Sequence, residues 1–280
     1  MDAPSFPREL YDTVVNHFRD DISTLRNVAL VDRASAKKCQ AHIFRQVTLR
    51  TRRMQSPADA SATPCFKLHD ILRTSPHLAT HIKELTVDNR ESGLEDAEIY
   101  PFVSFVADDD HLLPVILDIL PHITCLKLLL DRDASTRVWS NMSPIFKSSV
   151  AKTLESENLR NITILGLHDV PLSLFRGSNR LNHLCLLDTT IISDIDFDAR
   201  HQHRCRLATL DLIVDNPRQL IGIPSPFDLT HLQRISIAIG LALRQRLRSL
   251  TTLLEANSRT LEYLGLHICQ FALLLRGSCY

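Results

Sequence analysis

Between residues 82 and 266 the chain spells apolar-x-x-apolar-x-apolar seven times. The copies are Ile82/Leu85/Val87, Ile123/Leu126/Leu128, Leu159/Ile162/Ile164, Leu181/Leu184/Leu186, Leu207/Leu210/Leu212, Leu232/Ile235/Ile237 and Leu261/Leu264/Leu266. Their first anchors lie 41, 36, 22, 26, 25 and 29 residues apart. The last four spacings fall in or beside the window of about 20–29 residues in which one short strand and its return segment make a stacked repeat. The first two leave room for a longer insertion each. Any one copy could arise by chance in a leucine-rich chain, but seven at ordered spacing constrain the fold strongly.

The last two anchors of each copy are two residues apart, so both point to one face of a short strand. A lone strand cannot bury that face, whereas strands stacked in parallel share one continuous core. The pattern therefore predicts an α/β chain whose residues 66–280 form an irregular solenoid, with short parallel strands on its concave face. Helix-like segments at 69–73, 112–120, 143–154 and 248–256 would form the convex side. Residues between the anchors would face outward on the strands. Among them Glu84, Lys127, His183, Asp211, Arg234 and Tyr263 are the candidate target-binding residues, beside Thr86, Asn161, Thr163, Cys185, Thr209, Ser236 and Gly265. Charges of both signs make this a mixed surface, and Arg and Tyr are residue types enriched at binding hot spots. The apolar run 271–275 would fold back over the last rung as a cap or be covered by another protein, or else the chain is cut short there relative to its relatives.

Residues 5–50 read differently, as a helical module. Pro7 suits a first helical position, and Leu10, Val14, Val15 and Phe18 follow as one apolar stripe. Asp21 can cap a second helix carrying Ile22, Leu25, Val28 and Ala29. A third helix would turn Cys39, Ile43 and Phe44 inward, and Val47 and Leu49 alternate like a short strand. A core of that size is marginal alone and often depends on a partner. Residues 51–65, with small side chains and two prolines, read as a linker or exposed loop.

The module resembles an F-box. Phe6-Pro7-Arg8-Glu9-Leu10, Val14-Val15, Phe18, Asp20-Asp21, Leu25 and Ala29-Leu30-Val31-Asp32-Arg33 follow the family pattern, and His42-Ile43-Phe44-Arg45 resembles its end. Asp32 and Ala36 stand where the family frequently has Cys and Trp. Ser75-Pro76-His77-Leu78-Ala79-Thr80-His81-Ile82-Lys83-Glu84-Leu85 is similar to the middle of the divergent F-box/leucine-rich-repeat proteins of fungi. In leucine-rich repeats an asparagine usually stands three positions after the third anchor, where it satisfies neighbouring backbone. Here those positions are Arg90, Asp131, Leu167, Thr189, Asp215, Gly240 and Cys269.

The resemblance implies a non-enzymatic substrate receptor of a Skp–cullin–F-box ubiquitin ligase, in the ubiquitin-like conjugation pathway. Its partners would be a Skp-type adaptor protein and a target protein. Phe6, Pro7, Leu10, Val14, Leu25, Leu30 and Val31 match the motif's apolar positions, some facing the adaptor and others the module's own core. One alternative is an interaction scaffold whose F-box does not engage a ligase. Another is an enzyme that uses the solenoid as a platform.

Composition narrows the other classes. Lys+Arg 32 balance Asp+Glu 32, so the basic excess of an electrostatic nucleic-acid binder is missing. Only 7 of 280 residues are glycine, and neither phosphate-cradling glycine motif occurs. No ordered catalytic motif is visible, the start lacks a basic and apolar leader, and no apolar run reaches membrane length. Seven scattered cysteines fit free thiols in a reducing compartment, cytoplasmic or nuclear. His201, His203 and Cys205 form a metal-like cluster without a fourth ligand at a diagnostic spacing, and Asp108-Asp109-Asp110 reads as a helix cap. The expectation is therefore no cofactor, no metal, no nucleic acid and no membrane.

Overall fold

A computed structural model describes residues 8–31, 33–50, 63–89, 112–130, 138–193, 204–213, 225–239 and 243–268. Three helices come first: α1 (Arg8–His17), α2 (Ile22–Val28) and α3 (Arg33–Ile43). The Asp21 carboxylate accepts the Thr24 N–H at 3.0 Å and the Thr24 hydroxyl at 2.6 Å, which caps α2 and holds that carboxyl below its ordinary range. Val15, Leu25 and Cys39, one from each helix, form a small core ringed by Tyr11, Phe18, Val28, Ala29 and Ile43. His42 bonds Asn16 at 3.2 Å, and Lys38 pairs with Asp12, tying α3 to α1.

The inward stripe of α1 is Tyr11 and Val15, continued by Phe18 just past its end, at i, i+4, i+7. Leu10 and Val14 stand one residue earlier, about 100° around the helix, and point away from this core. The single stripe expected from sequence is thus two adjacent faces, of which the module uses one.

Among the described residues the rest is built on twelve strands: β1 (Gln46–Arg50), β2 (Glu84–Asn89), β3 (Cys125–Leu130), β4 (Asn161–Leu165), β5 (Val170–Pro171), β6 (His183–Leu187), β7 (Ile191–Ile192), β8 (Cys205–Arg206), β9 (Thr209–Ile213), β10 (Phe227–Asp228), β11 (Arg234–Ile239) and β12 (Tyr263–Ile268). Eight of them form one sheet in the order β1-β2-β3-β4-β6-β9-β11-β12, every neighbour parallel. The short pairs β5–β7 and β8–β10 are also parallel. The chain is therefore α/β, with its main sheet laid down in sequence order.

Register aligns the anchors into two rows. Leu85, Leu126, Ile162, Leu184, Leu210 and Ile235 form one, and Val87, Leu128, Ile164, Leu186, Leu212 and Ile237 the other. All twelve are buried, each worth roughly 1.5–3 kcal/mol relative to exposure. In the last strand Leu264 and Leu266 remain partly exposed, and residues 271–275 lie outside the described residues.

The rungs are tied by one repeated backbone device. At each entrance a single carbonyl accepts two consecutive N–H groups from the next strand, at 2.7–3.0 Å. The acceptors run Arg45, Lys83, Thr124, Arg160, Asn182, Ala208 and Gln233. Arg45 belongs to this series because β1 is the first rung of the sheet. Val47 and Leu49, read above as the end of the helical module, pack in the large core instead, and so does Phe44.

Among the described residues four helices occupy longer returns: α4 (Pro64–Thr74), α5 (Leu112–Asp118), α6 (Pro144–Leu154) and α7 (Leu243–Ala256). α5 and α6 fill the 41- and 36-residue spacings and α7 the 29-residue one. The 22-residue return between β4 and β6 has room only for β5 and a short 3-10 turn, Leu172–Phe175. Thr63 caps α4 and Pro64 opens it, as Ser143 and Pro144 do for α6, so α4 begins within the stretch 51–65 expected to be linker. The caps expected from Asp108 to Asp110 lie outside the described residues.

Candidate functional site

Two surfaces carry the residues singled out above. The first is on the helical module. Leu10, Val14, Ile22, Leu30 and Val31 are 51%, 40%, 47%, 85% and 67% exposed, while Leu25 is wholly buried. Five aliphatic side chains therefore face outward from a unit whose own core fully buries three. Leu25 belongs to the module's interior, so of the candidates that match the motif it is one that faces the module's own core and not an adaptor. Phe6 and Pro7 lie outside the described residues.

The second surface is the open face of the main sheet. Strand alternation sends the residues between anchors there, and register sorts them into rows. One row runs Glu84, Cys125, Asn161, His183, Thr209, Arg234 and Tyr263, and the next Thr86, Lys127, Thr163, Cys185, Asp211, Ser236 and Gly265. β1 adds Gln46, Thr48 and Arg50, and the Arg50 guanidinium meets the buried Asp88 carboxylate at 3.3 Å. Phe44, Val47 and Leu49 keep the spacing of the repeat, but sequence reasoning missed this rung because Phe44 also reads as the inward end of the third helix.

Four of the six candidate target-binding residues converge. His183, Asp211, Arg234 and Tyr263, with Thr209 and Ser236, line a shallow cavity of about 310 Å³. His183 Nε2 is 2.9 Å from Asp211 Oδ2 across β6 and β9. The Arg234 guanidinium lies 4.5 Å over the centre of the Tyr263 ring, a cation–π contact. Gly265 makes room for that ring, since a Cβ there would stand 3.1 Å from Tyr263 Cε1. Glu84 and Lys127 sit on β2 and β3, at least three strands from Asp211, and take no part in this cavity.

The cluster around residue 201 is partly outside the described residues, but Cys205 is not. It is buried, its thiol donates to the Leu181 carbonyl at 3.0 Å, and burial pushes its pKa up to about 11. It is a core thiol turned away from any ligand. Burial likewise raises the Cys125 thiol and lowers His42 and His81. No described helix is long and apolar enough to cross a membrane. Comparison with protein-family models, with curated proteins and with solved structures finds no match.

Proposed function

We propose that this chain is the substrate-recognition subunit of a Skp–cullin–F-box ubiquitin ligase, working in the cytoplasm or nucleus and doing no chemistry itself. The observation that carries the reading is the outward aliphatic set on the three-helix module. Leu10, Val14, Ile22, Leu30 and Val31 have solvent on them where a unit of this size can least spare apolar area. An adaptor's apolar surface would cover them, and a standard interface of about 1,600 Å² suffices for stable docking.

The sheet supplies the other half. On this reading it is an irregular leucine-rich-repeat solenoid that holds a target protein on its open face while other subunits transfer ubiquitin. Glu84, Lys127, His183, Asp211, Arg234 and Tyr263 are the contacts proposed there. The stacked Arg234 and Tyr263 join two of the residue types enriched at hot spots, already held in one geometry.

Co-expression with a Skp-type adaptor tests the reading. The wild-type chain is expected to co-purify at one to one. A Leu10→Ser/Leu30→Asp double variant is expected to lose at least tenfold in affinity while keeping its melting temperature. A wild-type chain that never associates with the adaptor would overturn it.

A further inference from the structure

We infer that His183, Cys185 and Asp211 form a binding site for a zinc-class divalent ion on the open face of the sheet. The three potential ligand atoms, an imidazole nitrogen, a thiol sulfur and a carboxylate oxygen, all lie within 4.8 Å of one another. Two neighbouring strands create this arrangement. His183 and Cys185 are two apart on β6, so both point to the same side, and Asp211 stands directly opposite Cys185 on β9. Among the described residues no other group of three His, Cys, Asp or Glu side chains meets this spacing.

The chemistry of the set selects the ion. Nitrogen and sulfur donors suit zinc and disfavour calcium and magnesium, which take oxygen ligands. Bond lengths of about 2.0–2.1 Å to nitrogen, 2.3 Å to sulfur and 2.0–2.2 Å to oxygen put tetrahedral ligand atoms roughly 3.3–3.8 Å apart. The His183 Nε2 to Asp211 Oδ2 distance of 2.9 Å thus needs to open by only a few tenths of an ångström. On binding, the thiol gives its proton to solvent, and the imidazole coordinates through the Nε2 lone pair with its proton on Nδ1. One thiolate and one carboxylate then balance the charge of the ion.

Three protein ligands leave the fourth tetrahedral position to water, as in open zinc sites. The adjoining cavity has room for it, and its lining includes Thr209, the register partner of His183, and Ser236, the register partner of Asp211. Arg234 is drawn aside over Tyr263, which limits the repulsion a cation would otherwise feel. The site does not rest on the ligase reading, because nothing in it involves the helical module.

Cobalt(II) replaces zinc as a spectroscopic probe. The full-length chain, stripped with chelator and kept reduced, is titrated with cobalt(II) and then with zinc. The expected result is one equivalent of cobalt, a near-ultraviolet thiolate-to-cobalt band, its loss on adding one equivalent of zinc, and a zinc-dependent rise in melting temperature. Cys185→Ser should abolish the band, and His183→Gln and Asp211→Asn should each weaken binding at least tenfold. If Cys185→Ser does not fold, the other two variants decide the matter alone. A wild-type chain with no such band, a band that survives Cys185→Ser, or unchanged affinity in both His183→Gln and Asp211→Asn would overturn the proposal.

Discussion

The side-chain oxygen of Asn257 accepts the backbone N–H of Leu232 at 2.8 Å, joining the end of α7 to the start of the preceding rung. Its Nδ2 donates to the Leu253 carbonyl at 2.8 Å, and the residue is wholly buried. Short polar side chains bridge other rungs in the same way. Thr124 donates to the Lys83 carbonyl, Thr189 to Ile164, Cys205 to Leu181 and Thr260 to Leu232. The asparagine missing from its usual repeat position is thus replaced by bonds distributed over several residue types.

Asn257→Ala leaves the buried Leu232 N–H without this acceptor, while the Leu253 carbonyl keeps the backbone N–H of residue 257. A buried group stranded in this way costs about 1–3 kcal/mol. Urea unfolding is expected to report a loss in that range with an unchanged slope. A loss below about 0.5 kcal/mol would mean that water replaces the amide.

Leu25 and Leu30 separate the two roles of the module's leucines. Leu25→Ala empties a site with no exposure and is expected to destabilise the module by about 2–5 kcal/mol. Leu30→Ala, at 85% exposure, should change stability by less than about 0.5 kcal/mol. Hydrogen exchange of α1 to α3 amides in the two variants measures the difference.

Leu49→Ala tests where the first rung belongs. Leu49 is buried in the large core with Leu85 and Val87, so its truncation should cost about 2–5 kcal/mol in the sheet. The amides of β2 would exchange faster, while those of α1 and α2 would not change. Loss of protection confined to the helical module would return β1 to that module.

Cys205 sets an alkaline limit. Its thiol has an ordinary pKa of 9.0 and is held up to about 11 in the folded chain by burial. Below pH 9 both states carry the proton and the stabilisation is fully present. Between these two values the unfolded chain binds fewer protons than the folded one, so stability falls as pH rises and the contribution is lost by about 11. Cys205→Ser should flatten that part of the stability profile. In native labelling at pH 8, Cys205 should react only as fast as the chain opens, measured by mass spectrometry.

Much of the strand framework was legible because alternation and stacking leave a strong trace in the residues. The paired anchors of all seven copies lie at neighbouring positions in the sheet, and Pro144 and Asp21 marked helix starts for plain stereochemical reasons. Two features were illegible for equally physical reasons. β1 follows the same triad in Phe44, Val47 and Leu49, but these residues run straight on from the helical pattern before them, and only the Arg45 carbonyl accepting the Lys83 and Glu84 amides assigns the strand to the sheet. The inward face of α1 could not be separated from the outward one, since Leu10, Val14 and Val15 are equally apolar and only packing against Leu25 and Cys39 selects Val15.

The candidate site divides along the same line. The sequence by itself determined that His183 and Cys185 share a face of one strand and that Arg234 and Tyr263 open two others, because strand alternation is a local property of the chain. Only the tertiary structure decided that Asp211 stands beside Cys185 and that Glu84 and Lys127 stand apart. Which strands become neighbours, and in what register, depends on backbone bonds between segments more than twenty residues apart, and these are indifferent to the side chains they bring together.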